Sequence, residues 1–267
     1  PGRTNRLTDT NLLLAITVVV FLVMYIGAML FLKKGFLKPQ TFFNILNANA
    51  ALIITSCGMS LVMITGGIDI SVGGVVALVS MSCAVYLDYH GGSLVTSLLI
   101  ALGIGLAFGA VQGFLVAYLD IQPFIVSLAG MFFARGMTTI VHTAPFNVAN
   151  EAFVGLKDTR INVPGLGTVN KLGKYVNAYV EIGVIVALLI VVILFCVLKW
   201  TKLGRNFYAV GGNRQAAVYS GINVRKVIIF VYTLSGLAAS WAGIVLASRM
   251  ASGQPATGVG YEADAVA

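Results

Sequence analysis

The sequence predicts an all-α, polytopic bundle of transmembrane helices. Three observations carry that prediction. Apolar residues make up 58% of the 267 positions and charged residues only 10%, far below the roughly 25% usual in soluble domains. The apolar residues gather into seven long runs with few or no charges, and a helix of about twenty such residues crosses a ~30 Å hydrocarbon core. The bases fall in the connections and at the run ends, where they anchor against anionic lipid.

The first run is Leu12–Leu32, behind Arg3 and Arg6. It exceeds a secretory h-region and no small-x-small cleavage site follows, so it reads as an uncleaved span. Phe42–Thr65 is the second. Ser71–Leu87 is short and interrupted by glycine. Open backbone cannot face lipid, so this third span is expected to be shielded by other helices or to line a cavity. Ser93–Leu119 and Pro123–His142 follow after tight turns near Asp88–Gly92 and Asp120–Gln122. The polar stretch 143–175, with Pro145, Pro164 and several glycines, reads as an external or internal loop, not a span. Val176–Leu198 is the sixth span and Val227–Ala247 the seventh. The stretch 199–226 between them carries bases without acids. At Tyr261–Ala267 another apolar run opens, so the pattern anticipates further helices beyond the given residues. The expected domain is one membrane unit over 1–267.

Charge bias leaves orientation open. With the N-terminus inside, Arg3, Arg6, Lys199, Lys202, Arg205, Arg214, Arg225 and Lys226 fall on the inner side. Lys33, Lys34, Lys38, Lys157, Arg160, Lys171, Lys174 and Arg249 fall on the outer side. The acid-free stretch 199–226 tips the balance towards N-inside.

Several chemistries are excluded or unsupported. The net charge of +8 comes without a basic stripe interleaved with aromatics, which argues against nucleic acid. Cys57, Cys83 and Cys196 lie inside apolar runs and form no CxxC, so neither a disulfide framework nor a metal site is expected. There is no GxxxxGK[ST] and no HExxH. His90 and His142 sit at span ends and read as interfacial residues. No catalytic residue is expected.

The stretch 66–74, GGIDISVGG, places an acid between two glycine pairs. Glycine allows the chain to reverse between spans. Asp69 or Ser71 can cap the helix that follows, and Asp69 can equally stand on a solute path. Arg135 lies inside the fifth span and needs a carboxylate, backbone carbonyls or water; Asp69 and Asp120 are both available. Gly105, Gly109 and Gly113 line one helix face and permit close backbone approach. In 211–222, GGNRQAAVYSGI, Asn213 can open a short helix and Gly221 can end it. Ala216 and Ala217 would let something pack closely against it. That element reads either as a solvated linker or as a docking helix for a soluble partner.

On these residues the chain resembles the permease subunits of monosaccharide ABC importers of the ribose, xylose and galactofuranose type. The resemblance rests on GGIDISVGG at 66–74, QPFIVSLAGMFFARG at 122–136, LGRNFYAVGGNRQAAVYSGINVRKV at 203–227 and GQPATGVGYEADAVA at 253–267. It implies an N-terminus on the cytoplasmic side of a bacterial inner membrane. It implies pairing with a second permease, identical or not, and docking of ATP-binding subunits that hold ATP and Mg²⁺; no cofactor is expected in this chain. A periplasmic sugar-binding protein would deliver substrate. Gly212, Asn213, Arg214, Gln215, Ala216, Ala217, Ser220 and Gly221 would then form the coupling element, and Thr143–Tyr175 with 254–261 would face the binding protein. The family's further helices are not in these residues, so the chain as given is expected to lack its C-terminal helices. Neutral sugars call for hydroxyl-compatible groups, which makes Asn47, Asp69, Ser71 and Arg135 the pathway candidates. Two other readings stay open: a secondary transporter or channel, which would need coupling carboxylates inside the spans, and an accessory assembly subunit.

Overall fold

A computed structural model describes residues 5–32, 38–169 and 175–266. Of the charged residues weighed for orientation, Arg3, Lys33, Lys34, Lys171 and Lys174 lie outside them, as do Gly173 and Ala267. The side chains of Arg6 and Lys157 are likewise outside the description.

The elements run in the order α1 (Asn5–Leu32), α2 (Pro39–Ile64), α3 (Val72–Tyr89), α4 (Leu94–Tyr118), α5 (Pro123–Val141), β1 (Phe146–Asn147), α6 (Glu151–Asp158), β2 (Arg160–Val169), β3 (Tyr175–Glu181), α7 (Ile182–Trp200), α8 (Lys202–Gly212), α9 (Arg214–Tyr219), α10 (Val224–Met250), β4 (Ser252–Gly253) and α11 (Tyr261–Asp264). Seven of these helices, α1 to α5, α7 and α10, are long and apolar enough to cross a membrane. Each overlaps one of the seven runs read from the sequence, with ends that differ by a few residues.

The chain separates into two compact units, one of residues 1–46 and 162–180, the other of 47–161 and 181–267. In the first, no side chain of α1 from Asn11 to Phe31 is buried, as suits a helix solvated by lipid. Tyr25 meets Phe42 edge-on at the start of α2. Strands β2 and β3 pair as a two-stranded sheet. Gln40 holds β3 at both backbone groups of Tyr179: its Oε1 accepts from the Tyr179 N–H at 2.7 Å and its Nε2 donates to the carbonyl at 3.3 Å.

In the second unit α3 is the central helix. Nearly every residue from Val72 to Leu87 is buried, which meets the expectation that the short, glycine-bearing span is shielded. Small residues make this packing close. A methyl group at Gly74 would lie 2.9 Å from the Met131 carbonyl of α5, and one at Gly243 of α10 would lie 2.9 Å from Val79. The α4–α10 contact is closer still. Added carbons at Gly105 and Gly109 would strike the Gly236 and Tyr232 carbonyls, and at Gly113 one would sit 2.7 Å from Ile229 Cα. The glycine face of α4 thus seats α10, as its spacing predicts.

The structure departs from the sequence reading mainly in the connections. The stretch 143–175 contains β1, α6 and β2. The sixth span starts at Ile182, because 175–181 pairs as β3. Its two Tyr–Val pairs, aromatic and β-branched, favour a strand. In 199–226 two helices form; Thr201 caps α8, its Oγ1 accepting from the Gly204 N–H.

Candidate functional site

Two regions collect the residues singled out in the sequence: the link before α3, and the α8–α9 corner.

In the link, Gly66 takes φ +81° and turns the chain back towards the bundle. Asp69 becomes buried, with only 3% of its surface exposed. Its Oδ1 accepts from the Ser71 backbone N–H at 3.1 Å and from Ser71 Oγ at 2.6 Å. Its Oδ2 accepts from Ser235 Oγ of α10 at 2.8 Å. Gln112 of α4 in turn donates through Nε2 to Ser71 Oγ at 2.8 Å. The Tyr232 hydroxyl donates to the Ile68 carbonyl at 3.1 Å. Three donors reach the carboxyl group, and among the described residues it forms no ion pair. The network ties α3, α4 and α10 to one acid.

This corrects the capping expectation in part. Ser71 occupies the N-cap position in helical backbone (φ −71°, ψ −17°) and no side chain caps α3; its Oγ accepts from Gln112 Nε2 where a cap would accept from the helix N–H groups. Of the partners open to Arg135, backbone carbonyls hold it. Neither Asp69 nor Asp120 partners it. Its Nη1 donates to the Thr257 carbonyl at 2.7 Å and to the Pro255 carbonyl at 3.4 Å, the backbone alternative. Asp120, in left-handed backbone at φ +50°, pairs instead with Arg214 Nη2 at 3.3 Å, both side chains exposed.

The Arg135 clamp fixes the segment after α10. That segment turns at Ala251 (φ +48°), pairs through β4 with β1, and reaches the start of α3. A carbon added to Gly73 would strike Glu262 and lie 2.6 Å from the Gly258 carbonyl. Asn47 stands apart from this cluster. Its Oδ1 accepts from the Glu181 N–H at 3.0 Å, and Glu181 pairs with Arg249 at 3.1 Å, so Asn47 fastens α2 to the start of α7.

At the α8–α9 corner Asn213 Oδ1 accepts from the Ala216 N–H at 2.9 Å. The end of α9 is a Schellman arrangement. Gly221, at φ +80°, donates to the Val218 carbonyl at 2.9 Å and Ile222 to the Ala217 carbonyl at 3.0 Å, satisfying the last carbonyls of the helix. Ser220 Oγ returns to the Ala216 carbonyl at 2.9 Å. Gly212, Arg214, Gln215, Ala216 and Ser220 are exposed; Ala217 is buried in the chain's own core, which leaves Ala216 alone of the two on the open face. Tyr219 projects with 89% of its surface exposed. Gly211, at the end of α8, abuts the Ile64 carbonyl that closes α2. The corner therefore touches the helix that leads into the Asp69 link.

Sequence reasoning passed over Gln112, Ser235, Thr257 and Glu262. Gln112 carried a signal: it is the only amide in an otherwise apolar span. The described residues contain no cluster suited to a metal ion.

Residues 41–267 match the family model described as branched-chain amino acid transport system / permease component. Among curated proteins, the inner membrane ABC transporter permease protein YjfF of Escherichia coli K12 is 36% identical over 96% of this chain and 74% of its own length. The ribose import permease protein RbsC of the same strain is 36% identical over 93% of this chain and 74% of its own. The fructose import permease protein FruG of Bifidobacterium longum is 34% identical over 95% and 72%. No solved structure matches the chain.

Proposed function

Because the chain belongs to this family of ABC-transporter permease components, a multi-pass inner-membrane protein rather than an enzyme, we propose that it carries a monosaccharide inward, driven by ATP. The relatives named for ribose and fructose import support that substrate class over the amino acids in the family's description. The groups around Asp69 agree: Ser71, Gln112 and Ser235 are neutral hydroxyls and an amide, which suit an uncharged polyol better than a zwitterion.

The observation that carries the coupling part is α9. It is a short helix capped at both ends, exposed on one face, anchored by Ala217, and joined through α8 to the end of α2. Separate subunits holding ATP and Mg²⁺ dock on that face from the cytoplasm. A second permease, identical or not, completes the path, and a periplasmic sugar-binding protein supplies it. Closure of the ATP-binding subunits moves α9, and the permeases alternate between outward and inward access. Asp69, Ser71 and Arg135 line or brace the route.

Uptake into vesicles separates this from a secondary transporter. With the whole transporter reconstituted, sugar accumulation requires ATP and persists when ion gradients are collapsed. Accumulation that follows the gradient and ignores ATP overturns the reading.

A further inference from the structure

The start of α3 is an unusual place inside a membrane protein. A helix opens with N–H groups that have no partner within the helix, and here no side chain takes them. Around it stand polar groups that the fold leaves unused. Gln112, 4% exposed, spends Nε2 on Ser71 and leaves Oε1 with no partner. Turning the amide over would only exchange which end is left. Thr257, 6% exposed, has no partner for Oγ1, and it adjoins Gly258, whose carbonyl abuts Gly73. Glu262 accepts from the Gly260 N–H with Oε1 at 3.4 Å and leaves Oε2 buried and unpartnered against Gly73. A buried polar atom without a hydrogen bond costs about 1–3 kcal/mol, so three of them around one helix end mark a place that something else fills. A cavity of about 520 Å³ between α4 and α5 lies beside Gln112 and Gly130; Thr257 and Glu262 do not line it.

We propose that the uncapped start of α3, with Gln112, Thr257 and Glu262, is an intramembrane subsite for the hydroxyl groups of the transported solute. This rests on the sugar-importer reading. A hydroxyl both donates and accepts, so it can give its proton to Gln112 Oε1 or Glu262 Oε2 and take one from the helix N–H groups. Discontinuous helices in other transporters place substrate at the same kind of helix end.

The test uses the reconstituted transporter with saturating binding protein. D-ribose, D-xylose and D-fructose are offered beside their monodeoxy analogues, and the sugar taken up fastest fixes the pair. Gln112→Met and Thr257→Val keep size and remove one polar group each. Losing one hydrogen bond shifts transport by roughly three- to tenfold. At one hydroxyl position, the wild type is expected to prefer sugar to deoxy analogue by that factor, and one of the two variants to take up sugar and analogue at equal rates. If both variants keep the wild-type ratio at every position, trapped water or packing fills these groups and the subsite is wrong. If no sugar shows ATP-dependent uptake in the wild type, the importer reading falls first and the subsite with it.

Discussion

Ser235 Oγ on α10 donates to Asp69 Oδ2 at 2.8 Å, across 166 residues of sequence. The bond fastens the link before α3 to the middle of the helix that follows the α8–α9 corner. Asp69 is thereby both a structural clasp and a member of the polar interior. Replacing Ser235 with Ala removes one of three donors. The expected result is a loss of about 1–3 kcal/mol, the scale of leaving a buried hydrogen-bonding group without its partner, read as a lower unfolding midpoint in detergent. An unchanged midpoint would mean the carboxylate does not depend on α10.

Gly109 should tolerate no side chain. A carbon there would strike the Tyr232 carbonyl, which is backbone and cannot swing away. Gly109→Val is expected to destabilise by about 1–3 kcal/mol or more, the usual scale of overpacking. Gly103, with nothing within 4 Å, is the control, and Gly103→Ala should leave the midpoint in place.

Asn213 caps α9 through one hydrogen bond to the Ala216 N–H. Asn213→Ala should weaken the helix by about 1 kcal/mol. Retention of the ATP-binding subunits on an affinity column should fall several-fold, while the unfolding midpoint of the seven-span body stays near wild type. Equal retention would detach α9 from docking.

Asp120 and Arg214 form an ion pair that is open to solvent. Exposed pairs contribute about 0–1 kcal/mol, so Asp120→Asn is expected to leave stability almost unaltered. If the pair passes motion from α9 to the α4–α5 turn, the same variant consumes more ATP per sugar carried. The exchange of both charges, D120R with R214D, then restores the ratio. No change in that ratio would reduce the pair to a surface contact.

The spans were legible because each is a long apolar run that no soluble fold would tolerate, and Asn213 and Gly221 were legible because caps depend only on local backbone. What sequence could not give is orientation about a helix axis. Ala216 and Ala217 look interchangeable as letters, yet the phase of α9 after α8 buries one and exposes the other. The partners of Asp69 and Arg135 were hidden for a similar reason. Ser235 and Thr257 lie more than a hundred residues away, and nothing nearby marks them. The paired strands β2 and β3 were missed because Tyr175–Glu181 merges into the apolar run of α7. Only its Tyr–Val pairs, and the Glu181–Arg249 pair that ends it, separate strand from span.

The most direct measurement is a photo-reactive residue placed at Ala216 in the assembled transporter. The account predicts an adduct between this chain and the ATP-binding subunit, formed from the cytoplasmic side and lost when the label is moved to Val95, an exposed position at the other end of the bundle. An Ala216 label that reaches no ATP-binding subunit, or that reacts only from outside the cell, contradicts it.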